Sequence, residues 1–127
     1  MTDFADLIAR LEAATGPDRA LDAEIARDVC GLVIHEWPDW IARTSAMHDF
    51  PALWPTPFYT ESVDAAMTLI PDGFWWTVGA GRTRPDEPLY GAFIYDGDDL
   101  VGSGETEVSA AIALCVAALK ARGERGL

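Results

Sequence analysis

The sequence predicts an α/β (α+β) fold, a small and mainly antiparallel sheet sandwiched by helices, and three features point to it. The stretch from Thr106 to Gly123 holds no turn signal and reads as one capped helix with an apolar, alanine-lined face, which needs a flat surface to lie on. Phe74-Trp75-Trp76-Thr77-Val78 and Leu89-Tyr90-Gly91-Ala92-Phe93-Ile94-Tyr95 have the β-branched and aromatic richness of strands that supply such a surface. At the other end, Phe4, Leu7, Ile8 and Leu11 recur at i, i+3, i+4 and i+7, the stripe of an amphipathic helix.

The elements follow in the order α-α-(β-β)-α-β-β-α within a single domain spanning 1–127. Asp3 is placed to cap the first helix and Gly16-Pro17 to stop it. Pro17 suits a first helical turn, and Leu21, Ile25 and Val29 continue a second helix as far as Cys30-Gly31, so the two helices form an αα-hairpin. Beyond Gly31 the periodicity breaks. Strands are expected near Gly31–Glu36 and Trp40–Thr44, and Phe50–Phe58 reads as an irregular segment pinned by its aromatic rings.

Ser62 is the expected N-cap of a short helix from Val63 to Ile70, which Pro71-Asp72-Gly73 ends. The two strongest strands come next. Gly79–Pro88 reads as a flexible connection between them, and their nearly continuous apolar character implies that both sheet faces are covered. A polar loop after Asp96-Gly97-Asp98-Asp99 leads into the last helix. The expected core is Leu7, Ile8, Leu11, Ile25, Val29, Leu69, Val78, Ile94, Ile112, Val116 and Leu119.

Composition narrows the function classes. Half of the 127 residues are hydrophobic and 24% are charged, which is ordinary for a globular protein that folds without a metal or disulfide staple. Nine Lys and Arg against 21 Asp and Glu give a formal net charge of −12, so a phosphate backbone is repelled and direct nucleic-acid binding is not expected. The chain opens Met1-Thr2-Asp3-Phe4-Ala5-Asp6, acidic where a signal peptide is basic, and no apolar run reaches bilayer-spanning length. A cytoplasmic protein with no membrane association is the expectation. Cys30 and Cys115 both fall in apolar helical patterns and read as buried free thiols.

Each motif that suggests chemistry has a plainer account. Asp96 to Glu107 places acids at the first, third and twelfth positions of a calcium loop, but Leu100 and Val101 stand where an oxygen ligand and a turn glycine are needed. Gly102-Ser103-Gly104, ahead of a helix, lacks the third fingerprint glycine, and Glu105 and Glu107 oppose a phosphate there. His35-Glu36 has no second histidine, and His48 has no readable partner. No catalytic residue, metal ligand or cofactor is expected.

Arg82 and Arg84 form a local basic pair able to grip a carboxylate or phosphate, although pairing with the chain's own acids is the plainer use. Five tryptophans exceed what a small core easily buries. Trp75 and Trp76 read as core, whereas Trp37, Trp40 and Trp54, together with Arg82 and Arg84, are the candidate partner or ligand surface.

Three blocks resemble a family of short phage and prophage proteins, the phage ABA sandwich domain family. They are Asp6 to Ala26, the Tyr59-Thr60-Glu61-Ser62-Val63-Asp64-Ala65-Ala66 stretch through Pro71, and Ala111 to Arg122. The family's Thr-Pro at the start of the last helix is Thr106-Glu107 here. The resemblance implies a helix/sheet/helix sandwich of phage origin with no assigned activity and no residue roles to carry over. The function expected is therefore a non-enzymatic accessory protein acting through an unknown protein partner or as a homo-oligomer. The alternatives are a small-molecule binder or enzyme with a pocket beside the sheet, and an acidic inhibitor that imitates nucleic acid.

Overall fold

The computed structural model describes residues 4–35, 43–45, 54–84 and 87–126, with 33–35, 43–45, 54–55, 82–84 and 87–88 described as backbone alone. The order is α1 (Ala5–Glu12), α2 (Arg19–Asp28), β1 (Val33–His35), β2 (Arg43–Ser45), β3 (Trp54–Pro55), α3 (Val63–Met67), β4 (Trp75–Arg84), β5 (Glu87–Asp96), β6 (Asp99–Thr106) and α4 (Ala110–Arg125). Among the described residues these strands make two antiparallel three-stranded sheets, one ordered β1-β2-β3 and the other β4-β5-β6. The fold is α+β, as the sequence predicts.

α4 is the centre of the molecule. Every residue from Ala111 to Leu119 is buried, and Ala121 with them, which is the state of a helix apolar all round. Ser109 Oγ accepts a hydrogen bond from Ile112 N at 3.1 Å and caps its start. One side of α4 lies on β4, β5 and β6; the other receives α1 and α3. α1 contributes Leu7 and Leu11 to that layer, α2 contributes Leu21, Ile25 and Ala26, and Leu69 follows α3. Of the expected core, Ile8, Val29 and Val78 are partly buried against this cluster and the other residues are fully within it.

The contact between α4 and β6 is backbone against backbone. A Cβ on Gly102 would lie 2.1 Å from the Ala117 carbonyl oxygen and 2.8 Å from Ala121 N, and one on Gly104 would lie 2.3 Å from the Ala113 carbonyl oxygen. Ala113, Ala117 and Ala121 form a ridge at i, i+4 and i+8, and the two glycines are the groove it enters.

This contact corrects the expectation for residues 99–106. They are a strand and not a polar loop, because the glycines that dilute its β-propensity are required by the helix lying on them. Two more differences concern β4 and β5. The connection expected over Gly79–Pro88 is strand nearly throughout: Gly79 pairs with Gly91, Gly81 with Leu89 and Arg82 with Pro88. Among the described residues the sheet face opposite α4 is also exposed, at Trp75, Thr77, Gly79, Gly81, Leu100 and Glu105, where cover on both faces was expected. Smaller shifts affect the first half, where β2 begins at Arg43, Trp54–Pro55 is a short strand, and α3 ends at Met67. Asp3 lies outside the described residues.

A buried polar junction ties α2 to the segment before α3. Asp22 is wholly buried; its Oδ1 accepts from Thr60 N and Thr60 Oγ1, both at 2.8 Å, and its Oδ2 accepts from Arg19 Nη1 at 2.7 Å. Arg19 Nη2 donates to the Thr56 carbonyl at 2.7 Å, and its guanidinium stands 3.8 Å from the Phe58 ring centroid. Asp18 caps α2 through Ala20 N and Leu21 N, and its own N–H donates to Thr60 Oγ1 at 2.8 Å. Neighbouring Tyr59 completes the link, with its hydroxyl 3.3 Å from Cys30 Sγ and its carbonyl accepting from Cys115 Sγ at 3.2 Å. Residues from the segments Asp6–Ala26, Tyr59–Pro71 and Ala111–Arg122 thus meet here. Cys115 is a buried thiol as expected, but Cys30 is exposed, because it follows the last turn of α2 where the apolar stripe leaves the core.

Burial raises the Tyr59 hydroxyl well above its ordinary value of 10.0 and the Cys115 thiol well above 9.0. The Cys30 contact raises Tyr59 further, and the Asp22 charge adds to both shifts. Both groups stay protonated in the native state at pH values where the unfolded chain ionises. Stability therefore falls as pH rises above about 9, where Cys115 of the unfolded chain ionises, and more steeply above about 10, where its Tyr59 does, by at most about 1.4 kcal/mol per pH unit for each group. Urea melts between pH 8 and 11 should show this fall, and Cys115→Ala should remove the portion that begins near pH 9.

Candidate functional site

The exposed face of the larger sheet is built by strand alternation. Cross-strand partners share a face, so Trp75 with Tyr95, Thr77 with Phe93, Gly79 with Gly91 and Gly81 with Leu89 all lie opposite α4. β6 adds Leu100 beside Tyr95, Ser103 beside Phe93 and Glu105 beside Gly91. Ile94, Ala92, Gly102 and Gly104 alternate with these residues and point to the helix, where they are buried.

One end of this face is aromatic. Trp75 and Tyr95 stack with ring centroids 4.1 Å apart and planes 12° from parallel. Trp75 is nevertheless 50% exposed and Leu100 is 54% exposed. The indole N–H of Trp75 donates to the Gly97 carbonyl at 2.8 Å, which fixes the ring against the β5–β6 turn, where Gly97 has the positive φ of 63° that the turn needs. Trp75 is therefore a surface residue and not the core residue expected. Trp76, its neighbour on the opposite face, packs against the core.

The other end is a shallow trough of about 360 Å³ floored by Gly79, Gly81 and Gly91, with Phe93, Leu89 and Glu105 at its sides. Together the two ends make an apolar, ordered surface with few side-chain degrees of freedom left to lose on contact, a property of binding surfaces.

Acidic residues border the aromatic end. Asp96, Asp98 and Asp99 occupy the turn beside Trp75, and Asp72 precedes β4. Arg125, on the last turn of α4, pairs with Asp96 at 3.2 Å and Asp99 at 3.4 Å. The stretch resembling a calcium loop is thus a β-hairpin with two of its carboxylates held by an arginine. Among the described residues no group of three metal-binding side chains is assembled. Gly102-Ser103-Gly104 lies within β6 and serves the helix contact, with no helix N-terminus following it directly.

The residues expected to form the partner surface are distributed differently. Trp37 and Trp40 lie outside the described residues, as does His48, and the Trp54 side chain is likewise outside the description. Arg82 and Arg84 fall on the last positions of β4, opposite Pro88 and Glu87. Sequence reasoning missed Trp75, Tyr95, Phe93 and Leu100 as one surface. The signal for it was parity: Trp75 and Thr77 alternate with Trp76 and Val78, which gives one face more polar than the other.

A second concavity, about 450 Å³, runs between Phe4, Ala5 and Ile8 of the first helical segment, Leu100 to Ser103 of β6, and Leu119 to Glu124 of α4. It joins the open face at Leu100. Among the described residues no helix is long and apolar enough to cross a membrane. No protein-family model, curated protein or solved structure matches the chain.

Proposed function

We propose that this chain is a non-enzymatic accessory protein of phage or prophage, acting in the host cytoplasm through contact with another protein on the open face of β4, β5 and β6. The observation that carries the reading is the stacked Trp75–Tyr95 pair, which is held in place by a hydrogen bond yet left half in solvent. A rigid aromatic pair with Leu100 beside it is the kind of anchor around which protein contacts are organised. The net charge of −12 and the exposed Asp98 in the β5–β6 turn, which is not among the carboxylates held by Arg125, suit a partner with cationic side chains around an apolar patch. The family resemblance supports the phage origin.

The test compares immobilised wild-type protein with Trp75→Ser in capture from phage-infected and uninfected host lysates, followed by mass spectrometry. Trp75→Ser removes a stacking pair worth about 0.5–1.5 kcal/mol and leaves the core intact, so it should still melt cooperatively, a few degrees lower. A specific protein held by the wild type should be lost from the variant. Equal capture by both proteins would contradict the assignment of this face.

A further inference from the structure

We infer that β4 is the seam of a homodimer, in which two copies join edge to edge and make one continuous six-stranded antiparallel sheet. The inference concerns the edge of the sheet and stands independently of the partner assigned to its open face. β4 and β6 are the two edges of the sheet, and they are defended differently. β6 carries Asp99 at its start and Glu105 near its end, and an extra residue, Val101, interrupts its register between Leu100 and Gly102. Charges and bulges of this kind prevent a strand edge from pairing with another chain. β4 confines its charges and its register shift to its last positions, Arg82–Arg84, and runs through Trp75-Trp76-Thr77-Val78-Gly79-Ala80-Gly81 with neither, and without a proline. Its only strand partner among the described residues is β5.

The occupant that fits this edge is a second copy, because the strand complements itself under two-fold rotation. Both charged residues of β4 are arginines, Arg82 and Arg84, at its C-terminal end. Its N-terminal end adjoins Asp72 and the turn carrying Asp98. Antiparallel self-pairing brings the arginine end of each copy alongside the acidic, aromatic end of the other.

The pleat restricts the register further. Residues whose N–H and C=O groups point to the free edge must meet the same class of residue on the other copy, so the two-fold axis passes beside a single residue and not between two. Centring on Gly79 places Arg82 of the second copy across from Trp76; centring on Ala80 places it across from Val78. Both centres fall among small residues, and nothing lies within 4 Å of a Cβ added at Gly79 or Gly81. Paired residues share a face, so the two open faces lie on the same side of the joined sheet and present two Trp75–Tyr95 sites to one partner assembly.

Sedimentation equilibrium of the wild type at tens of micromolar should return twice the 13.8 kDa chain mass. The double variant Gly79→Lys/Gly81→Lys sets like charges against each other in either register. It should weaken association more than about tenfold while melting no lower than the wild type at concentrations where both are monomeric, because both positions are open and glycine is a poor strand residue. In a Cys30→Ser background, Gly79→Cys or Ala80→Cys should give a covalent dimer on mild oxidation, whereas Thr68→Cys, exposed beyond α3, should not. A monomeric wild type would overturn the inference. So would a dimer that the two lysines leave intact, or one that neither cysteine captures.

Discussion

Gly102→Val is expected to abolish the native fold, and Gly104→Ala to destabilise it by about 3 kcal/mol or more, at or beyond the upper end of the usual overpacking cost. The ordinary response to an added methyl group is for a flexible neighbour to move. Here the obstructing atoms are the Ala117 carbonyl oxygen and Ala121 N at position 102, and the Ala113 carbonyl oxygen at position 104. They belong to the backbone of α4, which is packed on its other side by α1 and α3 and has no room to retreat. Thermal melts of the two variants, with Gly91→Ala as the control, should separate this effect from loss of glycine as such. An alanine at 91 meets only the Phe93 ring edge, at 3.6 Å, and should fold like the wild type.

Asp22→Ala should cost about 2–4 kcal/mol, because it removes the acceptor of two buried Thr60 donors, at roughly 1–3 kcal/mol for an unsatisfied group, while Arg19, 40% exposed, keeps its charge in reach of solvent. The carboxylate satisfies the Thr60 amide, the Thr60 hydroxyl and one nitrogen of Arg19. Alanine leaves the Thr60 amide facing a cavity in the place where α2, the 56–60 segment and α4 converge, the Thr60 hydroxyl with only its longer bond to the Asp18 carbonyl, and Arg19 with the Thr56 and Pro57 carbonyls. Thr60→Ala removes a hydroxyl and leaves the amide bond to Asp22, so it should cost less, near the roughly 1–3 kcal/mol of an unsatisfied buried group. Chemical denaturation of the two single variants and the double variant should give a coupling energy well above zero, since both act on one network.

These predictions rest on features the sequence revealed unequally. α1, α2, α3 and α4 were legible from their apolar periods and stops, and Ser62 caps α3 as read; α2 and α4 start later than read, capped by Asp18 and Ser109. β5 was legible nearly throughout, from Leu89 to Tyr95, and β4 only in its aromatic half. The glycine-rich half of β4 read as connection, because strand propensity is judged from side chains while Gly79 and Gly81 are held by cross-strand backbone pairing. β6 was hidden for the related reason that α4 excludes side chains at 102 and 104.

The polar junction was hidden because its members are 38 residues apart in sequence, as Asp22 and Thr60 are. One local sign of it existed. Asp22 stands between Leu21 and Ile25 on the apolar side of α2, and a carboxylate at such a place needs a partner brought from elsewhere. The open sheet face was obscured by the number of its aromatic residues, which pointed to burial on both sides, whereas Trp75 and Tyr95 cover each other and not a core.

The central claim is that partner contact falls on the open sheet face and not on the junction of α2 with the 56–60 segment. Hydroxyl-radical footprinting tests it with an internal reference, because Phe58 is 44% exposed at the junction while Trp75 and Leu100 are exposed on the face. Labelling in the presence of the captured partner should slow at Trp75 and Leu100 and stay unchanged at Phe58. Protection of Phe58 with undiminished labelling of Trp75 would contradict the claim.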